Sequence, residues 1–320
     1  MDAVRLLSAV IAAAITFSAG TAQAEEKAAR VAVAVSDLRA EPVPPAAGLD
    51  HDPLEESQLL YAERVLVLEE RSGWTRVEAV EQSEWSHSKR WTGYPGWIRS
   101  SDLTSDPGRW SANLLVTAKI GRVRETPLID GKTILSLSLG TGLMGVRENS
   151  WWKLCLVDGK TGWISENDVR SRTDPRARGT DVGQLRRKIV ETARLLVGDP
   201  YYWGGRSAHN PDRPAPPQTA VDCSGLTGLA YQANGIQIPR DAHEQWMRAR
   251  PVRLDQLEPG DLVFLHDEKN PEKVTHVMLY AGEGRIIEGP GTGSPVREIP
   301  LSDRLQEIGG REVSCGSYLE

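Results

Sequence analysis

Basic residues are in the minority in this sequence. Lys and Arg number 38 against 44 Asp and Glu, a formal net charge of −6. That balance leaves no basic surface for the phosphates of nucleic acid or for an anionic lipid face, and neither is expected as a partner. A membrane-spanning run is missing as well. The apolar stretch from Leu6 to Phe17 is Ala-rich and shorter than the about 20 strongly apolar residues that cross a bilayer. With Arg5 ahead of it and Ala22-Gln23-Ala24 behind, it reads as a secretory signal peptide, residues 1–24, with the mature chain starting near Glu25. A secreted or periplasmic protein is expected, with no stable membrane insertion once the signal is removed. No Cys follows the cleavage site to carry a lipid.

Cysteine is scarce. Cys155, Cys223 and Cys315 make an odd number in a chain bound for an oxidising compartment, so at least one thiol stays free. None stands in a C-x-x-C or His-paired spacing, so no zinc site is expected, and nothing calls for a metal or an organic cofactor. Spacing alone leaves open whether Cys155 and Cys315 approach each other.

A chain of 320 residues suits two or three domains. From Val31 to Val169 the residues form short apolar runs broken by Gly and Trp, without a helical period, which predicts a succession of short strands. This region repeats itself. Its first copy reads VAVSDLRAEP, RVLVLEERSGWTRVEAV and GYPGWIRSSDL; its second reads VTAKIGRVRETP, LGTGLMGVRENSWWKLCLV and GKTGWISENDV. The repeat predicts two small all-β barrels. Trp74 and Trp152, at alternating strand positions, are expected in their cores. The stretch from Glu81 to Gly93 interrupts the first copy and is expected to be a long loop.

The grammar changes after the polar SRTDPRARGT of residues 171–180, which reads as a linker. Asp181 can cap a helix in which Leu185, Ile189, Val190, Ala193, Leu196 and Val197 recur at helical spacing up to Gly198. A second helix is expected from about Cys223 to Ala233, ending at Asn234-Gly235. Short apolar strands follow: Leu262 to Leu265, Val274 to Tyr280 and Arg285 to Glu288. Helices first and strands later predict an α+β domain.

The chemistry concentrates in that domain. Cys223 falls in the first turn of its helix, where unpaired N–H groups and the helix dipole favour thiolate, as a cysteine nucleophile requires. His276 lies within an apolar strand and must have its ring nitrogens satisfied, which makes it the candidate base. Glu288 in the next strand is the candidate third group. A carboxylate there would hold the imidazole through Nδ1–H and favour the imidazolium that accompanies a thiolate.

Five motifs stand in order: Pro200-Tyr201-Tyr202-Trp203-Gly204-Gly205, Asp222-Cys223-Ser224-Gly225-Leu226, Ile238-Pro239-Arg240-Asp241-Ala242, Leu257 to Phe264, and His276-Val277. Together they resemble the NlpC-type papain-like peptidases of bacterial cell walls, over roughly Leu185 to the end. The two β units ahead resemble bacterial SH3-like domains, and the whole chain resembles the γ-D-glutamyl-L-diamino acid endopeptidases. The resemblance implies a multidomain layout: a first SH3-like domain at residues 25–108, a second at 109–172, a linker at 173–184 and a cysteine peptidase domain at 185–320.

It further implies hydrolysis of the γ-D-glutamyl bond to diaminopimelate or Lys in peptidoglycan stem peptides (muropeptides), with Cys223 as nucleophile and His276 as base. Glu288 stands where the family often has His, which implies an altered pH dependence. Tyr201, with the Cys223 backbone N–H, would stabilise the oxyanion. Asp222 and Ser224 would read a free amino-terminal L-Ala, the carboxylate pairing with its ammonium, and Glu63 and Tyr94 of the first module would close the pocket. Ala242 departs from a Ser that helps hold that amine in some relatives. Arg206 to Ala220 is longer than the usual link and would be a surface loop or a rim of the cleft. His209, His243 and His266 are expected at the surface. The rival readings are a hydrolase of intact, sugar-linked wall and a non-catalytic wall-binding protein.

Overall fold

The computed structural model describes residues 27–45, 51–106, 108–172, 181–212 and 218–319. The expected signal peptide and most of the expected linker lie outside the described residues. Among those described, no helix is long and apolar enough to cross a membrane.

The chain is mostly β with few helices. Residues 28–105 build one seven-stranded sheet in the order Glu55–Leu60, Val35–Arg39, Thr92–Arg99, Trp74–Glu84, Arg64–Arg71, Ala28–Val31, Leu103–Ser105. Residues 114–171 build a five-stranded sheet and a three-stranded one. Both regions end alike, on a Gly-Trp-Ile strand, a single 3-10 turn (Ser100–Asp102 or Glu166–Asp168) and a short closing strand. Their cores are separate: Val31, Leu38, Leu59, Val77 and Ile98 fill the first, while Leu114, Val123, Leu137, Leu154 and Ile164 fill the second. Trp74 is buried and Trp152 partly so.

The stretch from Glu81 to Gly93 is not a long loop. The strand Trp74–Glu84 runs through its first half and its partner Thr92–Arg99 starts before its end, with only residues 85–91 turning between them. The alternation is hidden in sequence because these residues meet polar partners rather than a hydrophobic core: Glu81 accepts from the Arg64 amide, Gln82 bonds Ser57 and Gln58, and Glu84 accepts from the His87 amide and Thr92.

The carboxy-terminal region opens with helix α1 (Val182–Arg194), capped by Asp181, whose carboxylate accepts from the Gln184 amide. Helix α2 (Cys223–Gln232) follows a long irregular segment. Helix α3 (Ala242–Arg248), a six-stranded antiparallel sheet and helix α4 (Leu301–Glu307) complete it. The sheet order is Arg250–Val252, Val313–Ser317, Leu262–His266, Val274–Gly282, Arg285–Glu288, Arg297–Pro300. The sequence did not announce α3 or α4, since helices of 7 residues are too short to display a period.

One apolar cluster ties the regions together. Leu226, Leu229 and Ala230 of α2 pack with Ile189 and Val190 of α1 and with Phe264, Val277 and Leu279 of the sheet, and the same cluster takes in Val35 and Leu60 of the first β region and Leu139 of the second. The three regions therefore meet through buried hydrocarbon, which fixes their mutual placement far more firmly than polar linkers would.

Candidate active site

Helix α2 starts where it does because Asp222 caps it. The Asp222 carboxylate accepts from the Gly225 amide at 2.6 Å, leaving Cys223 as the first helical residue with its thiol at the positive end of the dipole. Gly225 has to be glycine: a Cβ there would stand 2.2 Å from the Gly205 carbonyl oxygen, so only a bare backbone lets the helix tip meet the Gly204-Gly205 segment. Cys223 is 8% exposed.

His276 comes to the thiol from the strand Val274–Gly282. The register there slips: Leu265 faces His276 while His266 faces Val274, so Thr275 is an extra, bulged residue. Bulges re-aim side chains at sheet rims, and this one sits immediately before the histidine. The Cys223 sulfur stands close enough to the His276 ring to raise its pKa. Its Nε2 lies 2.7 Å from Glu288 Oε2. The carboxylate therefore holds the imidazole through Nε2, not through Nδ1–H as the sequence reading expected, and Nδ1 is left for the sulfur.

Glu288 is fully buried. Arg297 donates to its Oε1 from Nε at 3.0 Å and Nη2 at 2.7 Å, and Arg304 Nε stands 3.0 Å from Oε2 as an ion pair without hydrogen-bond geometry. Burial pushes the carboxyl up, but the bond from His276 and the two guanidinium groups outweigh it and hold Glu288 below the usual carboxylate range. For His276, burial pulls the pKa down while the Cys223 sulfur and the Glu288 carboxylate push it up, and the second effect wins, raising it to about 9. The arrangement can carry a thiolate, an imidazolium and a carboxylate in one line.

Cys223 and His276 line a cleft of about 540 Å³. Tyr201 and Trp203 stand on its rim, and Tyr201 packs against Gly289 beside Cys223. Burial, Cys223 and Asp222 push the Tyr201 hydroxyl pKa up, so it keeps its proton and can donate.

The other residues singled out in sequence divide. Asp222 and Ser224 line the cleft, but their polar groups are already engaged. Arg240, 3% exposed, donates to Asp222 Oδ2 at 2.8 Å, to Asp222 Oδ1 at 3.2 Å and to Ser224 Oγ at 2.9 Å. The Asp222 charge is thus met inside the protein and is not free for an ammonium. Tyr94 does reach the cleft. Glu63 does not: it is buried in an ion pair with Arg206 at 2.8 Å, away from Cys223.

Two acids that the sequence reading passed over stand where it sought Glu63. The Tyr94 hydroxyl donates 3.0 Å to Asp241 Oδ2 and lies 3.2 Å from Glu56 Oε2. Asp241 holds the N-cap position of α3, yet its carboxylate makes no capping bond and turns to Tyr94 instead. Burial, with Glu244 and Asp222 adding to it, outweighs Arg240 and raises the Asp241 pKa to about 7. Asp241 stood within the Ile238-Pro239-Arg240-Asp241-Ala242 motif of the sequence; Glu56 carried no such signal.

His266 is buried, with Nδ1 toward the Pro271 carbonyl oxygen at 2.5 Å and Nε2 toward Ser314 Oγ at 2.7 Å, so it is a structural residue and not the surface one expected. His243 lines the cleft and stacks on Trp246, and burial lowers its pKa. His209 is half-buried against the Thr219 carbonyl oxygen, away from the cleft. Cys155 and Cys315 are both free thiols, and burial pushes Cys315 up to about 11.

The chain is 28% identical over 262 residues to a γ-D-glutamyl-L-lysine dipeptidyl-peptidase of Bacillus subtilis (strain 168), covering 81% of this chain and 80% of that protein. It is 36% identical over 160 residues to the murein DD-endopeptidase MepH of Escherichia coli (strain K12), covering 48% of this chain and 55% of that one. The solved structure of an NlpC/P60 family protein from Bacillus cereus ATCC 10987 shares the fold, with a TM-score of 0.76 at 24% identity over 92% of this chain and 100% of that one. Residues 198–307 match the model of the NlpC/P60 family, and the chain carries an NlpC/P60 family domain built around the helix that begins at Cys223.

Proposed function

We propose that the protein is an exported cysteine endopeptidase that hydrolyses the γ-D-glutamyl to L-diamino acid bond of peptidoglycan stem peptides whose amino-terminal L-Ala is free. In this reading residues 25–108 and 109–172 are SH3-like modules and residues 185–320 the peptidase domain. The name of the Bacillus subtilis relative specifies the same bond with lysine. The observation that carries the specificity is the grouping of Glu56, Tyr94 and Asp241 in the lining of the cleft that holds Cys223. Glu244, bonded by the Ser86 amide at 3.0 Å, adds a third acid to that lining. A dipeptide acyl group with an ammonium terminus places its charge against these acids when its carbonyl meets the sulfur, and a sugar or acetyl on that nitrogen removes the charge.

The Cys223 sulfur attacks the γ-carbonyl and a C–S bond forms. The oxyanion accepts from the Cys223 backbone N–H and the Tyr201 hydroxyl. On collapse the C–N bond breaks, and the leaving amine takes the proton that His276 holds. Water then gives a proton to His276 and its oxygen to the acyl carbon, releasing the acid and the thiolate. Glu288, locked by Arg297, orients the ring and stabilises the imidazolium throughout.

Incubation of L-Ala-γ-D-Glu-diaminopimelate with wild type and Cys223→Ala, read by mass spectrometry, tests the reading. Release of diaminopimelate by wild type alone supports it. Equal product from both proteins would remove the enzyme claim, and cleavage at another bond would remove the substrate claim.

A further inference from the structure

The lining of the cleft carries charges of both signs. Its acidic lining, Glu56, Asp241 and Glu244 with the internally paired Asp222, comes from chain before residue 250; its Lys and Arg lining, Lys273, Arg304 and Arg311, comes from chain after it. The acids fit the amine of the acyl half. Lys273 and Arg311 take no part in the proposed reaction.

Of the three cations, Arg304 is committed. It stands against Glu288, its Nη1 donates to Glu307 at 3.0 Å, and its side chain is 13% exposed. Arg311 is not. Its nearest acid is Glu268, 3.6 Å away and 71% exposed, an ion pair that water and salt screen heavily. Its hydrogen bonds leave from Nη2 alone, to the His266 carbonyl oxygen at 2.7 Å and to Thr275 Oγ1 at 3.2 Å. Its Nε, the atom that faces Glu268, is buried and makes no hydrogen bond. The guanidinium is therefore fixed in direction but short of acceptors, the condition of a preformed carboxylate reader. Lys273 is exposed two residues before Thr275.

Position relative to the reaction follows from proton transfer. The departing amine must come within hydrogen-bond reach of His276 to take its proton. Thr275 is the bulged neighbour of His276 in the chain, it is exposed, and Arg311 is bonded to it. The residue attached to the departing nitrogen thus leaves past Thr275 and Arg311, and its own α-carboxylate is one carbon from that nitrogen.

We propose that Arg311, aided by Lys273, binds a carboxylate of the leaving diamino acid and so makes a free carboxylate on the leaving side a requirement for fast cleavage. The assignment rests on the peptidase reading above. Selectivity then has two charges read in opposite senses, an ammonium on the acyl side and a carboxylate on the leaving side, which suits short released peptides over stems that continue past the diamino acid through an amide.

The test compares kcat/KM for four peptides: L-Ala-γ-D-Glu-L-Lys, its carboxy-terminal amide, the same peptide with D-isoglutamine in place of D-Glu, and the N-acetylated form. Wild type, Arg311→Gln, Arg311→Lys and Lys273→Gln are assayed at low and high salt, with thermal melts to verify folding. The expected result is a preference of wild type for the carboxylate over the amide of about tenfold or more, lost in Arg311→Gln, partly retained in Arg311→Lys, reduced in Lys273→Gln and weakened by salt. Discrimination against the N-acetyl form stays as in wild type in all three variants. Equal use of carboxylate and amide by wild type, while it still rejects the N-acetyl form, would overturn the proposal and leave the peptidase reading standing. So would sensitivity of the variants to D-isoglutamine instead, which would put Arg311 on the acyl side. If wild type cleaved none of the peptides, both readings would fall. Should Arg311→Gln not fold, Lys273→Gln and the wild-type comparison decide the question.

Discussion

The two amino-terminal β regions come from one repeated sequence pattern, yet they stand in different relations to the cleft. The first supplies Glu56, Ser86 and Tyr94 to its lining. The second supplies no lining residue and meets the carboxy-terminal region behind α2, through Gln232 on the Gly140 carbonyl oxygen, the Ala208 amide on Ser138 Oγ, and an ion pair of Lys119 with Asp199. The difference lies in one extension. In the first region the strands Trp74–Glu84 and Thr92–Arg99 run on past the core, and the turn between them docks on α3, with the Ser86 amide on Glu244 at 3.0 Å and Arg248 over the Trp91 ring at 3.8 Å. The corresponding pair in the second region, Trp151–Cys155 and Thr161–Ser165, closes on a short turn. Of two copies of one sequence pattern, the one with the longer hairpin thus lines the cleft, and the other lies behind α2.

The comparison breaks most visibly at Arg240, which joins the first region to α2 by donating from Nε to Ser57 Oγ at 2.7 Å while pairing with Asp222. Arg240→Met leaves Asp222 buried without its cation. A loss of about 3–5 kcal/mol in stability is expected by urea denaturation, since removing one partner of a buried pair strands the other.

Next in size is Glu288→Gln, which lies outside both β regions and should leave their contrast untouched. It lowers kcat/KM on the order of 100-fold for free and N-acetylated peptide alike. The sign of its pH effect is fixed by His276, whose pKa is raised to about 9 with the Glu288 carboxylate among the causes. The imidazolium is present below that value and is lost as pH rises through it, so wild type should lose activity on the alkaline side near 9. Without the carboxylate that limb moves to lower pH. A pH profile of kcat/KM checks both statements.

Glu56→Gln and Tyr94→Phe sharpen the contrast directly. Each should reduce the preference for a free amine by about tenfold, because each removes a charge or an oriented donor from the acidic lining. Asp241, with its pKa at about 7, gains its charge as pH rises through that value, whereas a peptide amine loses its own above roughly 8. Discrimination should therefore peak between these two values, and the KM ratio measured against pH reports it. Smallest of all is Lys119→Ala in the second region, where the partly exposed pair with Asp199 is worth about 1 kcal/mol or less and the substrate preference should not move.

Much of this was legible in the residues. A cysteine at the start of a helix, a histidine in an apolar strand and a carboxylate in the next strand are local signals, and the structure brings Cys223, His276 and Glu288 together. What escaped depends on contacts between distant segments. Glu55 and Glu56 are neighbours on one strand that face opposite ways, the first fully buried against Arg39 and the second toward Tyr94, and nothing local says which side meets the cleft. Asp222 was legible as a cap, but the arginine that neutralises it is 18 residues away. Asp241 gained its meaning only from Tyr94 of the first region, 147 residues earlier. Arg311 carried no local mark, since its meaning comes from a bulge at Thr275, 36 residues earlier.

The account turns on the division of labour between the first β region and the domain that holds Cys223. The most direct measurement is kcat/KM for L-Ala-γ-D-Glu-diaminopimelate and its N-acetyl form, taken side by side for wild type and Tyr94→Phe. The account predicts a strong preference for the free amine in wild type that shrinks in the variant because cleavage of the free peptide slows while that of the acetylated one does not. An unchanged ratio, or equal cleavage of both peptides by wild type, would contradict it.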